Sequence, residues 1–116
     1  MDKDRYYNLL FPKAYDAILG KVTRKGHSEE EFLEIMRWLT GYDEAGIRTA
    51  YDKGITYGEF LMDTPSLNPN RLLIKGNICG YKVQEIEDPV LRDMRCLDKM
   101  VDELVHGKSM DKVLRK

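Results

Sequence analysis

Five polar residues between positions 68 and 82 have the types and spacing that could bind a ligand. Asn68 followed by Pro69 is typical of a helix start, where free backbone N–H groups attract anions, and cations lie close by. The same residues also fit a plainer role, with Asn68 as a helix cap and Arg71 as a surface or ion-pairing residue. As a binding site for a small anionic ligand, the segment would use Asn68, Asn70, Arg71, Lys75 and Tyr81.

Other residues capable of chemistry form no motif. His27 and His106 end different predicted helices, and neither belongs to an H-x-x-x-H or H-x-x-E pair. Cys79 and Cys96 lack C-x-x-C spacing, and we expect both to be buried thiols inside helices. We therefore expect no catalytic residue, no metal site and no cofactor.

The charge balance argues against two classes of protein. The chain has 116 residues, of which 19 are basic and 20 acidic, giving a net charge of −1. Proteins built to hold nucleic acid or anionic lipid usually carry a clear basic excess.

The first residues, Met-Asp-Lys-Asp-Arg-Tyr-Tyr, lack an apolar signal core, and the apolar runs are short for a membrane span. We expect a single cytoplasmic domain over residues 1–116.

Helix start and stop signals recur along the chain. Ser28 with Glu31, and Thr56 with Glu59, have the spacing of capping boxes, and Asp43 can cap another helix. Glycines stand where four of the helices should end. The predicted helices cover about residues 12–26, 28–41, 43–54, 56–62, 68–86 and 88–107, with a last turn from Ser109. This pattern predicts an all-α domain, a compact bundle of six or seven helices.

The segment 68–86 allows two interpretations. Its apolar and small residues alternate steps of four and three, which is helical spacing: Leu72, Gly76, Cys79, Val83 and Ile86. The alternative is a β-hairpin turning at Gly76-Asn77, but its flanks do not alternate cleanly between apolar and polar residues. We favour the helix, which would pair with the helix after Asp88-Pro89 as a C-terminal helical hairpin.

Several long motifs resemble a family of short bacterial proteins, a domain of unknown function numbered twenty-two hundred. The likeness covers nearly the whole chain, although His27-Ser28 stands where that family usually has Arg-Thr and the N-terminal segment is less similar. It implies a free-standing bacterial protein of the cytoplasm and no particular activity. The matching motifs are Trp38-Leu-Thr-Gly-Tyr-Asp43, Leu67-Asn-Pro-Asn-Arg71, Leu73-Ile-Lys-Gly76, Ile78-Cys-Gly-Tyr81, Glu85-Ile-Glu-Asp-Pro89, Leu97-Asp-Lys99 and Asp102-Glu-Leu104.

Three functional hypotheses follow. The leading one is a non-catalytic binding or interaction module that pairs with itself as a homodimer, because the apolar stripe of the helix after Pro89 is wide enough to serve an interface. The second is a nucleic-acid-associated protein using a helix-turn-helix over residues 28–53 or the tail Lys108–Lys116. The third is a small ligand-binding protein or enzyme using the Asn68–Lys82 region.

Overall fold

The computed structural model describes residues 3–115 and gives this part of the chain seven α-helices. In chain order they are α1 (Lys3–Tyr7), α2 (Phe11–Arg24), α3 (Glu29–Thr40), α4 (Glu44–Lys53), α5 (Tyr57–Met62), α6 (Pro89–Val105) and α7 (Met110–Val113). Between α5 and α6 lie two 3-10 turns, Pro69–Leu73 and Val83–Glu85, and two short strands, β1 (Asn77–Ile78) and β2 (Tyr81–Lys82). The all-α fold class is confirmed.

The caps predicted at Ser28, Asp43 and Thr56 are formed, whereas Ser109 makes no side-chain cap bond. Ser28 accepts a hydrogen bond from the Glu31 backbone while the Glu31 carboxylate accepts one from the Ser28 backbone, so both halves of the capping box are present. Thr56 and Glu59 make the same reciprocal pair at the start of α5. At the start of α6, Asp88 Oδ1 accepts from the N–H groups of the next turn at 3.0 Å. These caps satisfy backbone donors that no helical carbonyl can reach.

The helix predicted over residues 68–86 is wrong, and so is the C-terminal helical hairpin built on it. Strands β1 and β2 pair antiparallel, with Asn77 opposite Lys82 and Ile78 opposite Tyr81. The alternative interpretation had the right kind of element but the wrong turn, since the chain reverses at Cys79-Gly80 rather than at Gly76-Asn77. Cys79 is therefore neither helical nor buried.

The turn geometry is incompatible with a helix. Cys79 has φ 52° and Gly80 has φ 82°, so both central residues of the two-residue turn have positive φ. Helical residues need negative φ, whereas positive values at both positions belong to the turn type whose twist suits a hairpin. The Ile74 and Val83 side chains, both fully buried, hold the two sides of this segment in the core.

Helix α6 lies at the centre of the molecule and packs against α2, α3, α5 and α7. Its apolar stripe is at most 4% exposed and consists of Leu91, Met94, Leu97, Met100, Val101 and Leu104. The surface that suggested a dimer interface is thus buried within the described part of the chain itself. The homodimer stays a prediction, without support from this stripe.

A second set of contacts fixes α2 against α5. The Phe11 N–H donates to the Ile55 carbonyl and the Tyr57 N–H donates to the Leu9 carbonyl, each at 2.7 Å. The Phe11 and Phe60 rings then stack with centroids 4.0 Å apart. These contacts orient α2, which also packs against α3 and α4.

The hairpin turn provides a stability prediction. Asparagine and glycine are the residues that this turn type favours, and Cys79 is a non-glycine residue held at positive φ. We expect Cys79→Asn to raise the free energy of unfolding by about 0.5–1 kcal/mol, measured by urea denaturation. Gly80→Ala is the matched control: a Cβ there meets nothing within 4 Å, so any loss reports φ alone. A destabilised Cys79→Asn variant would contradict the assignment of this turn as one with positive φ at both central residues.

Candidate functional site

Three of the five residues predicted to bind a ligand form one hydrogen-bonded turn against α6. The Asn70 N–H donates to the Asn68 side-chain oxygen at 2.9 Å. Arg71 donates from Nε to Asp93 Oδ1 at 2.9 Å and from Nη1 to the Asn68 carbonyl at 3.1 Å. Asn68 is thus a cap, as the plainer interpretation had it, although of a 3-10 turn. Arg71 already holds a carboxylate that is 6% exposed.

The other two predicted residues lie apart from that turn. Lys75 is exposed. Tyr81 lies on the hairpin and lines an open depression of about 700 Å³ beside the start of α6. The Arg95 guanidinium lies 5.9 Å from the centre of the Tyr81 ring and 4.7 Å from that of Tyr6. Among the described residues no hydrogen bond or ion pair joins Tyr81 to Arg71, and a shared binding role stays a prediction.

Burial of Asp93 shows what Arg71 does there. Removal from water raises the pKa of the Asp93 carboxyl, while the hydrogen bond and charge of Arg71 oppose that rise. The pKa of Asp93 is raised overall, so the effect of burial is larger than that of the guanidinium. Arg71 therefore compensates a buried charge, which is a structural task.

Both histidines have neighbouring polar partners, and one of the two cysteines is buried. His27 Nδ1 lies 3.2 Å from the Glu31 carboxylate, and His106 Nδ1 lies 2.7 Å from the Asp102 carbonyl. Cys96 is buried as expected, and burial raises the pKa of its thiol to about 11. Within residues 3–115 no group of three or more His, Cys, Asp or Glu side chains is arranged to hold a metal ion.

A cleft between α2, α3 and α4 is the candidate site. Its volume is about 240 Å³. The apolar part of the lining, called here the floor, consists of Leu19, Leu33 and Ile47, of which the last two are buried, and the exposed residues Asp16, Glu29 and Glu44 form its rim. The complete lining is Tyr15, Asp16, Leu19, Glu29, Leu33, Glu44, Ile47, Arg48 and Tyr51.

Two tyrosines connect the floor of the cleft to its acidic rim. The Tyr15 hydroxyl donates to Glu29 Oε2 at 2.8 Å, and the Tyr51 hydroxyl donates to Asp16 Oδ1 at 2.9 Å. The two rings meet edge to face with centroids 5.5 Å apart. Each carboxylate is thereby held at the hydroxyl end of a tyrosine ring.

The tyrosine hydroxyls remain protonated. Burial, with the hydrogen bond and charge of Glu29, raises the pKa of Tyr15 far above its ordinary value. The hydrogen bond from its hydroxyl to Asp16, together with burial, raises the pKa of Tyr51. Both groups therefore serve as hydrogen-bond donors rather than proton acceptors near neutral pH.

The sequence prediction missed this cleft. Tyr15, Ile47 and Tyr51 do fall on apolar helix faces, and that periodicity alone marks them as core. The sequence signal for the cleft was the hydroxyl group of each tyrosine, because a tyrosine hydroxyl usually finds a hydrogen-bond partner when the ring is buried. Which carboxylates would meet those hydroxyls depends on how three helices cross.

Comparison with known proteins gives a fold and a family. A solved structure titled "Crystal structure of uncharacterized protein SP1917" matches with a TM-score of 0.91 and 39% sequence identity, covering 97% of this chain and 92% of that one. No curated protein is significantly similar to the chain. No helix within residues 3–115 has the length and apolar character needed to cross a membrane. The resemblance seen in the motifs is confirmed: a family model described as "Uncharacterized protein conserved in bacteria (DUF2200)" matches residues 5–115, and the chain belongs to that family.

Proposed function

We propose that the protein is a non-catalytic binding module whose ligand site is the cleft between α2, α3 and α4. The observation that carries the proposal is the pairing of Tyr15 with Glu29 and of Tyr51 with Asp16 above an apolar floor. Ligand sites typically combine apolar walls with a few well-placed polar groups.

The size of the cleft limits what it holds. Drug-sized ligands occupy pockets of roughly 300–1,000 Å³, and this cleft is smaller at about 240 Å³. A ligand of about ten non-hydrogen atoms fits this scale. Binding worth about 4 kcal/mol corresponds to a Kd near 1 mM, so the expected affinity for a fragment of the true ligand is weak.

The chemistry of the lining supports binding over catalysis. The two tyrosines keep their protons, as their raised pKa values require, and both are engaged with carboxylates. Among the described residues that line the cleft there is no histidine, cysteine, serine or lysine. These residue types are common nucleophiles and general bases, while the carboxylates of the lining, which can also act as nucleophiles, accept hydrogen bonds from the tyrosines or lie beside Arg48.

A fragment screen tests the proposal. We expect members of a small-fragment set with cationic, neutral and anionic groups to shift the backbone amide NMR signals of Leu33, Ile47 and Arg48 at millimolar concentration. Leu19→Trp should fill the cleft and weaken binding at least tenfold, because the half-buried Leu19 lines it. Met62→Trp, at an exposed position outside the cleft, is the matched control. Binding that survives Leu19→Trp, or shifts mapping elsewhere, would reject the cleft as the site.

A further inference from the structure

The charges around the cleft are mostly of one sign. Asp16, Glu29 and Glu44 line it as carboxylates, and Arg48 is the single basic residue of the lining that the structure describes. An ionised carboxylate has two oxygens and accepts several hydrogen bonds, so one bond from a tyrosine leaves capacity for a ligand. The rim therefore favours a ligand that brings positive charge and N–H donors.

The aromatic surface favours the same kind of ligand. Tyr15 and Tyr51 meet edge to face, and each has a carboxylate on its hydroxyl. The half-buried Tyr51 ring can attract a cation through its electron density, whereas Tyr15 is 7% exposed and packs against Phe11 and Phe32. The floor of Leu19, Leu33 and Ile47 requires in addition an apolar portion on the ligand.

Arg48 already places a guanidinium at this cleft. Its side chain is 69% exposed and lies 3.9 Å from the Glu44 carboxylate one helical turn away. Its charge also acts on the Tyr15 hydroxyl, opposing the effect of the carboxylates there. Exposed pairs of this kind contribute little to stability, so moving Arg48 away from Glu44 costs little.

We propose that the ligand of the cleft is a small organic cation, an amine or guanidinium on a short apolar stem, and that Arg48 competes with it for the carboxylates. This inference rests on the proposed function of the cleft. The volume of about 240 Å³ matches a free molecule of this size. It also matches one basic side chain of a peptide, and the experiment separates these two sources.

Three probes of nearly equal shape test the charge of the ligand. Butylguanidinium, N-butylurea and pentanoate are cationic, neutral and anionic, and each is titrated into the full chain by NMR. We expect butylguanidinium to bind at least tenfold more tightly than the other two, and its affinity to fall as sodium chloride rises from 50 to 500 mM, because salt screens exposed charges. A peptide acetyl-Gly-Arg-Gly-amide should bind no more tightly than butylguanidinium.

Two arginine variants test the competitor. Arg48→Met should raise the affinity for butylguanidinium about threefold to tenfold. Arg24→Met removes the same charge from an exposed position on α2 that does not line the cleft, and it should leave the affinity within twofold. Glu29→Gln keeps an acceptor for Tyr15 but removes a charge, and it should weaken binding of the cation.

The outcomes separate the inference from the proposed function. If N-butylurea or pentanoate binds the cleft as well as butylguanidinium, the cation assignment is overturned and the binding module stands. If Arg48→Met leaves the affinity unchanged or lowers it, the competitor role is overturned. Tighter binding of the peptide would overturn the free small molecule in favour of a basic side chain. If no probe and no fragment binds the cleft, both proposals fail.

Discussion

Phe60→Ala is expected to lower the free energy of unfolding by about 4 kcal/mol, the usual cost of removing a fully buried phenylalanine. The Phe60 side chain is 0% exposed, and its ring lies between those of Phe11 and Tyr42 at centroid distances of 4.0 and 4.5 Å. The loss removes apolar burial and leaves a cavity at the contact of α2 with α5. For a chain of this length we expect Tm to fall by about 15 °C, measured by calorimetry.

The same helix supplies a control for that variant. Met62 follows on α5 with 61% exposure, so Met62→Ala should change stability by less than about 0.5 kcal/mol. A Phe60→Ala protein that unfolds within about 1 kcal/mol of the wild type would mean that the aromatic stack collapses without cost. That result would contradict the packing described for α2 and α5.

Glu103→Gln should have the second largest effect, a loss of about 3 kcal/mol at pH 7 and a fall in Tm of about 10 °C. The Glu103 carboxylate is 8% exposed and accepts two hydrogen bonds from the Arg115 guanidinium at 2.5 and 2.7 Å. Lys108 lies 3.4 Å away. The substitution leaves Arg115 facing a neutral group and weakens the attachment of the C-terminal segment to α6.

The pH dependence of this variant has a definite sign. Burial by itself would raise the pKa of Glu103, but the hydrogen bonds and charge of Arg115, with Lys108, hold it below its ordinary value of 4.5. A depressed pKa in the folded state means that the stabilisation is present above the unfolded value and is lost as pH falls through the folded value. The difference in stability between wild type and Glu103→Gln should therefore shrink below about pH 4.5.

Chemical denaturation at several pH values checks both statements. Glu85→Gln is the control, because the Glu85 carboxylate is 68% exposed and lies 3.9 Å from Lys82, and it should change stability by less than about 0.5 kcal/mol. An unchanged free energy of unfolding for Glu103→Gln at pH 7 would show that the pair contributes nothing. A difference that grows on acidification would contradict the direction given for the pKa.

The cleft could not be predicted from the spacing of residues in the sequence. Tyr15 and Tyr51 were identifiable as residues on apolar helix faces, and the structure does bury Tyr15. Their partners Glu29 and Asp16 lie on other helices, 14 and 35 residues away along the chain. Hydrogen bonds between helices depend on crossing geometry, which helical periodicity does not encode.

The sequence by itself determined where most helices begin and end. Capping at Ser28, Asp43 and Thr56 is local chemistry, in which a side chain bonds to backbone groups within three residues, so it can be read from neighbours alone. The all-α class likewise follows from local caps and helical spacing, and the family follows from short sequence motifs. Only the tertiary structure decided the conformation of residues 68–86 and the position of the cleft. For residues 68–86, burial of Ile74 and Val83 prevailed over helical spacing. The cleft exists only where the three helices α2, α3 and α4 meet.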